Sequence, residues 1–454
     1  MGINNIEKKS LGYKLLWYYT YFWHNIVFYK KVYVLNAENI PTDKPVIITA
    51  NHQNALMDAL ALLYNIKKQL IFMTRADIFK NKFFASILYF LKMLPIFRKR
   101  DGVDTIKKNE SIFQRTVEVI SSGSGLVILP EGNHEGVHRL RILKKGFARI
   151  AFQTEEANNF SMDIHIVPAG IEYSNYENWR NTLLINFGQP IPVRDYYKQF
   201  QKDPAIAIND IKDKLSERIK EVMLNIESEK FYNLIEQLRK IYRDKMCSLL
   251  SLPDNSLPNA LKADKTLNAA ITSSENQQEE QLTEIEKKVH ALMNMITSNG
   301  LTIDIINTKP TVFIKLAIKF ILLILSLPLF LYGLINNFMP YYIALSGGNK
   351  MKDPQFRSSI KFALAAILTP IIYILQSILF YQFAPQLSVT LIYFISIPLS
   401  GIFAWAYKKW LDRFTLQWRY FMFAKRRTGE LNELIQLRDK IILDTDKIVD
   451  IYLN

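Results

Sequence analysis

The chain has 454 residues, 49% of them hydrophobic, and a formal net charge of +15. That length leaves room for two or three domains. The single cysteine, Cys247, excludes an internal disulfide and any zinc site built from several cysteines. No nucleic-acid-binding pattern accompanies the charge, which argues against DNA or RNA as a partner.

Ten of the seventeen residues from Tyr13 to Tyr29 are aromatic or histidine. Tyr and Trp favour the bilayer interface, so residues 1–35 are expected to form an interfacial membrane-docking helix. The competing reading is a helix packed on the protein's own core. Lys14, His24 and Asn25 interrupt the run, and no small-residue cleavage site follows, so it does not read as a secretory signal.

Strands are expected at Lys31–Val34, Pro45–Ala50, Leu70–Met73, Leu126–Leu129 and Ile164–Val167, with a turn at Pro41–Lys44. Helices are expected at Phe83–Lys92, Asp104–Ser121 and Lys145–Thr154. Alternating strands and helices predict an α/β domain over residues 36–203, with a mixed sheet flanked by helices. Residues 67–149 hold seventeen Lys/Arg against seven Asp/Glu, which suits an anionic membrane surface or phosphorylated substrates.

Residues 204–308 read as a helical arm. Ile211, Leu215, Ile219, Val222 and Ile226 follow helical spacing, as do Phe231, Leu234, Leu238 and Ile241. Ser251–Lys262 carries two prolines and reads as a linker. Leu282, Ile285, Val289, Leu292 and Ile296 mark one face of a later helix.

Residues 309–410 are membrane-like. Phe362–Leu387 and Val389–Tyr407 are long enough to span a bilayer. Basic residues flank the pair outside, and the turn between is uncharged, so both ends are expected on the cytoplasmic side, with the α/β domain on that face. Pro328, Gly333 and Pro340 interrupt the earlier run from Phe320 to Ile335. It is read as a re-entrant or interfacial helix pair, with a single span as the rival. Residues 411–454 are expected to form an amphipathic C-terminal helix. Together these features predict an integral membrane protein with membrane lipids as partners.

The chemistry concentrates after the second expected strand, in Thr49-Ala-Asn-His-Gln-Asn-Ala-Leu-Met-Asp58. A histidine at a strand end can serve as general base, and an aspartate can hold its other ring nitrogen. Three further blocks follow: Leu94-Pro-Ile-Phe-Arg98, Leu129-Pro-Glu-Gly132 and Val167-Pro-Ala-Gly170. His134-Glu-Gly-Val-His138 spells a zinc-protease pattern, but Pro130, Gly132 and Gly136 argue for a loop rather than the helix that pattern needs. No metal site is expected.

In order and spacing the four blocks resemble the phospholipid/glycerol acyltransferase family (lysophosphatidate and glycerol-3-phosphate O-acyltransferases), over roughly Asn36 to Pro192. The resemblance implies transfer of an acyl group from a coenzyme A or acyl-carrier-protein thioester to a glycerolipid hydroxyl, with no further cofactor. It implies that His52 removes the proton from the acceptor hydroxyl and Asp58 orients His52. Arg98, with Arg100 beside it, would hold the acceptor phosphate. Asn51, Glu131, Gly132, Asn133 and His134 would complete the acceptor site, and Pro168 would help shape the acyl-donor site. Two departures stand out. Five residues rather than four separate His52 from Asp58. Asn133-His134 replaces the usual threonine-arginine, leaving Arg139, Arg141, Lys144 or Lys145 as alternative cations. The competing function is a non-catalytic lipid-binding or scaffold protein that retains the domain.

Overall fold

The computed structural model describes residues 6–8, 10–96, 105–132 and 136–453. It falls into two compact units: the chain up to Asn225 together with Gly348–Phe362, and Ile226–Gly347 together with Ala363–Asn454.

The first unit is built on a mixed sheet. Its strands are β1 (Tyr29–Leu35), β2 (Val46–Ala50), β3 (Leu70–Arg75), β4 (Met93–Ile96), β5 (Gly125–Ile128), β6 (His165–Tyr173), β7 (Asn181–Phe187) and β8 (Ile191–Pro192). They lie in the order β1-β7-β6-β2-β5-β3-β4, with β8 beside β6. β6 runs antiparallel to β7 and β8, and the remaining pairs are parallel. β2 is central and every one of its residues is buried. Such a strand reads as an unbroken apolar run because helices cover both faces.

The two faces alternate along β2. Ile47 joins a core with Ile71, Leu126, Phe147, Phe152 and Ile219. Val46 and Ile48 join another with Met57, Leu62, Val167 and Leu183. The helices of this unit are α1 (Leu11–Tyr21), α2 (Ala55–Asn65), α3 (Lys82–Phe90), α4 (Thr105–Ser121), α5 (Gly146–Ala157), α6 (Tyr197–Lys202) and α7 (Pro204–Val222).

Ser10 caps α1 by accepting from the Tyr13 amide at 3.2 Å. The helix runs into a π-helical stretch, Phe22–Phe28. One side of this segment is packed: Tyr13, His24 and Phe28 are buried, while Leu11, Leu15, Tyr18, Phe22 and Ile26 are exposed. His24 sits among the rings of Tyr29, Tyr64 and Phe362. Burial pulls its ring down to about 4, so it is neutral at physiological pH.

The boundary expected at residue 203 falls instead at 225. α7 packs on β6 so closely that a Cβ at Gly170 would lie 2.2 Å from the Val222 carbonyl oxygen. Glu172 then takes the Leu224 amide at 2.9 Å. α7 stops at Val222, so Ile226 lies beyond the helix whose spacing it seemed to continue.

Gly348–Phe362 also belongs to this unit. Arg357 pairs with Glu177 at 3.1 Å. Ser358 donates to Asn54, and Phe362 packs against His24 and Phe28.

The second unit is helical. α8 (Tyr232–Leu249), α9 (Leu257–Ser274), α10 (Glu279–Ser298) and the short α11 (Ile303–Ile306) precede α12 (Phe313–Asn349), α13 (Arg357–Phe383), α14 (Leu387–Arg426) and α15 (Thr428–Leu453). The first turns of α13 lie in the first unit. The apolar faces expected on α8 and α10 are buried. The expected linker is shorter than its prolines suggested, because Pro258 sits in the first turn of α9, where its missing N–H costs nothing.

The stretches Phe313–Asn349, Pro354–Phe383 and Leu387–Arg426 are long and apolar enough to cross a membrane. The first corrects the expected broken pair: α12 is one 37-residue helix that continues through Pro328 and Pro340. Internal prolines are tolerated in apolar helices whose neighbours hold the chain in place. α12 and α14 meet at small residues and amides. Gly333 abuts the Ser400 carbonyl, and Asn337 donates to Ile397 O at 3.1 Å.

Candidate active site

His52 follows β2, and Asp58 lies in the first turn of α2. The chain bends sharply between them, with Ala55 at φ 40°. That bend accommodates the longer spacing, because no regular helix brings residues six apart onto one face. The His52 Nδ1 lies 2.8 Å from Asp58 Oδ2. The same oxygen accepts the Gln53 and Asn54 amides, at 2.8 and 2.7 Å. Asp58 Oδ1 accepts the Tyr173 hydroxyl at 2.6 Å. Asp58 is fully buried, and these donors stand in for the water it has lost. With a hydrogen on Nδ1 aimed at Asp58, the basic lone pair of His52 is on Nε2.

Glu131 fixes this turn from the other side. Its Oε1 accepts the His52 amide at 2.8 Å, so the carboxylate expected to meet substrate hydroxyls holds the histidine's own backbone. Burial pushes Glu131 up to about 7, against the opposing pull of the His52 and Arg141 amides. Gly132 follows with φ 69°, a conformation that glycine adopts without strain. The Lys144 amide closes this loop on Pro130 O at 2.8 Å. A cavity of about 400 Å³ lies beside Glu131, lined also by Arg139, Arg141 and Lys144. It gathers three of the four cations considered as substitutes for the missing threonine-arginine.

Other expected site residues fall elsewhere. Asn51 uses both ends of its amide on the Ile171 backbone, at 3.1 and 2.7 Å, and so ties β2 to β6. Pro168 is buried within β6 opposite Thr49, with Gly188 against its ring. Arg98, Arg100, Asn133 and His134 lie outside the described residues.

Sequence reasoning missed three polar contributors. Tyr173 holds Asp58. Tyr176 donates to Gln53 Oε1 at 2.9 Å and its carbonyl accepts from Asn54 at 3.2 Å. Ser358 reaches Asn54 from a segment 304 residues away. Tyr173 ends β6 directly after the charged Glu172, and neither it nor Ser358 carried a local signal. Among the described residues no cluster of His, Cys, Asp and Glu could hold a metal ion.

Comparison with known proteins adds to this geometry. Residues 31–172 match the family described as Acyltransferase. That segment is an acyltransferase-family domain. The chain is 24% identical over 297 residues to glycerol-3-phosphate O-acyltransferase 2 of Saccharomyces cerevisiae, covering 60% of this chain and 38% of the relative. It is 26% identical over 124 residues to the 1-acyl-sn-glycerol-3-phosphate acyltransferase of Borreliella burgdorferi, covering 27% of this chain and 47% of the relative. It thus spans under half the length of either. Among solved structures, the 1-acyl-sn-glycerophosphate acyltransferase PlsC of Thermotoga maritima is 18% identical, with a TM-score of 0.32 over 46% of this chain and 77% of that one. The mixed sheet described above carries the fold assignment by itself.

Proposed function

We propose that this chain is a membrane-bound O-acyltransferase that moves a fatty acyl group from a coenzyme A or acyl-carrier-protein thioester to the hydroxyl of glycerol 3-phosphate or lysophosphatidate. The observation that carries this reading is the pairing of His52 Nδ1 with a buried Asp58 at 2.8 Å, inside a domain of the acyltransferase family.

The chemistry follows from the tautomer. The acceptor hydroxyl oxygen attacks the thioester carbonyl carbon while its proton passes to His52 Nε2. The tetrahedral intermediate collapses, the C–S bond breaks, and the departing thiolate takes the proton from the imidazolium. No covalent acyl-enzyme is needed, because the acceptor supplies the nucleophile. Asp58 keeps the ring oriented and balances the charge that His52 gains.

Arg139, Arg141 and Lys144 beside Glu131 offer a place for the acceptor's phosphate. Arginine suits that ligand because its planar donors engage two oxygens at once. Arg98 would add to this set. The three apolar helices would hold the protein in the bilayer as an integral protein, and their basic flanks favour a cytoplasmic site.

The test is acceptor-dependent thiol release by the purified full-length chain in lipid nanodiscs. Glycerol 3-phosphate and lysophosphatidate are supplied in turn with acyl-CoA and acyl-carrier protein. One pairing is expected to yield the acylated acceptor by mass. Thiol release that never depends on an acceptor would overturn the reading.

A further inference from the structure

α3 is an apolar helix that its own unit does not cover. Its sequence is Lys82-Phe-Phe-Ala-Ser-Ile-Leu-Tyr-Phe90, and none of its residues is buried. Phe83 is 70% exposed, and Phe84 and Ile87 share that exposed side, with Ile78 exposed just before the helix. The helix is nonetheless well made, because Asn81 accepts from the Phe83 amide at its start at 2.9 Å. A folded, capped helix that shows three large apolar side chains to solvent is matched to something other than water.

The same unit shows a second such face beside it. On α1 and its π-helical continuation, Leu11, Leu15, Tyr18, Phe22 and Ile26 are exposed at steps of three and four residues, a single stripe. The two helices touch where Tyr13 meets Phe90 edge-on, with ring centroids 6.1 Å apart. Lys92, just after α3, is fully buried beneath the start of α1. It donates to Lys8 O, with its ammonium 4.9 Å from the centre of the Tyr13 ring. The two exposed faces are therefore fixed to each other rather than independently placed.

Charge identifies the occupant. Between Glu7 and Glu38 the sequence has no acidic residue, and between Asp77 and Asp101 it has none either. Lysines frame both apolar faces, with Lys14, Lys80 and Lys82 exposed. Apolar side chains bordered by lysines and free of carboxylates match the boundary of a bilayer with anionic headgroups. A soluble protein partner would call for no such exclusion of acids over two separate segments.

We infer that α3 is a lipid-contacting element of the first unit, seated with α1 at the headgroup–acyl boundary. The first unit then has its own bilayer contact through Phe83, Phe84 and Ile87, apart from the three long helices. This inference stands whether or not the acyl-transfer reading holds.

Site-specific labelling of the full-length chain tests it, helped by the presence of one cysteine only. In a Cys247→Ser background, single cysteines at Phe84, Ile87, Leu15 and the exposed Lys198 carry an environment-sensitive dye, and the protein is placed in nanodiscs containing phosphatidylserine. Dyes at 84 and 87 are expected to shift to the blue, lose most of their emission to lipids spin-labelled near the headgroup, and resist aqueous iodide, as at 15. The dye at 198 should show the reverse. Iodide quenching at both 84 and 87 would overturn the inference. So would shielding from both quenchers, which would mean that protein covers α3.

Discussion

Asp58 and Asp264 are both buried aspartates on helices, one in each unit, and they are satisfied in opposite ways. Asp264 sits between two guanidiniums, with Arg239 Nε at 2.9 Å and Arg243 Nη2 at 2.7 Å. Two permanent cations absorb its charge and tie α8 to α9. Asp58 has two amides, a phenol and an imidazole. None of these is a permanent cation, so its charge remains available to balance the proton that His52 takes up in the proposed mechanism. The contrast teaches that burial alone does not mark a functional carboxylate. The proposed role of Asp58 rests instead on burial among neutral donors with one titratable neighbour.

The sharpest way to break this comparison is to remove the titratable neighbour. His52→Ala should cost about 100- to 10,000-fold in acyl transfer, the usual range for a lost general base, with the circular dichroism spectrum unchanged. Asp58→Asn should fall in the same range. Near wild-type turnover in a folded His52→Ala protein would end the acid–base reading.

Asp264→Asn probes the other half. Removing one member of a buried ion pair costs about 3–5 kcal/mol, and the partial exposure of Arg243 places the effect near the lower end. Thermal stability should drop, while transfer per folded molecule stays at the wild-type level. A loss of turnover without a loss of stability would erase the distinction between the two aspartates.

Glu131 gives a pH test. Its carboxyl is raised to about 7 in the fold, chiefly by burial, against an ordinary value near 4.3. The folded state therefore binds this proton more tightly than the unfolded chain does. The associated stability is fully present below about pH 4 and is lost as pH rises through about 7, up to roughly 3.5 kcal/mol in total. Glu131→Gln should flatten that slope, as read by chemical denaturation across pH 4–8.

The smallest expected effect is at Tyr173. Tyr173→Phe removes one of four donors to Asp58 and should cost about 1.5 kcal/mol, the low end for a bond to a charged group, or roughly tenfold in turnover. The loss should appear in turnover with thermal stability little changed, because the phenol orients Asp58. A loss of stability with turnover per folded molecule unchanged would make Tyr173 a packing residue.

The strands around the site were legible because Val46–Ala50, Leu126–Ile128 and Ile166–Val167 are apolar runs bounded by turn residues. The His52–Asp58 turn was legible because both partners are close in sequence. Tyr173 and Ser358 were not, since they arrive from 115 and 304 residues away and obey no local pattern. The hold of Glu131 on the His52 backbone was not legible for a related reason. Residue type signals a hydrogen-bond acceptor, but only the fold says that a backbone amide occupies it. The prolines of α12 misled in the opposite direction, because breaker strength in water overstates their effect in an apolar helix.

Gly348–Phe362 carries a consequence for the order of synthesis. The first unit lacks Ser358 at Asn54, and Phe362 beside His24 and Phe28, until this stretch has left the ribosome. Residues 226–347, which include most of α12, must be made first. At about 5–20 residues per second that interval is on the order of ten seconds. The His52–Asp58 turn therefore gains its last contacts only after the first long apolar helix has emerged. Translation itself thus sets the earliest moment at which Ser358 and Phe362 can reach their partners.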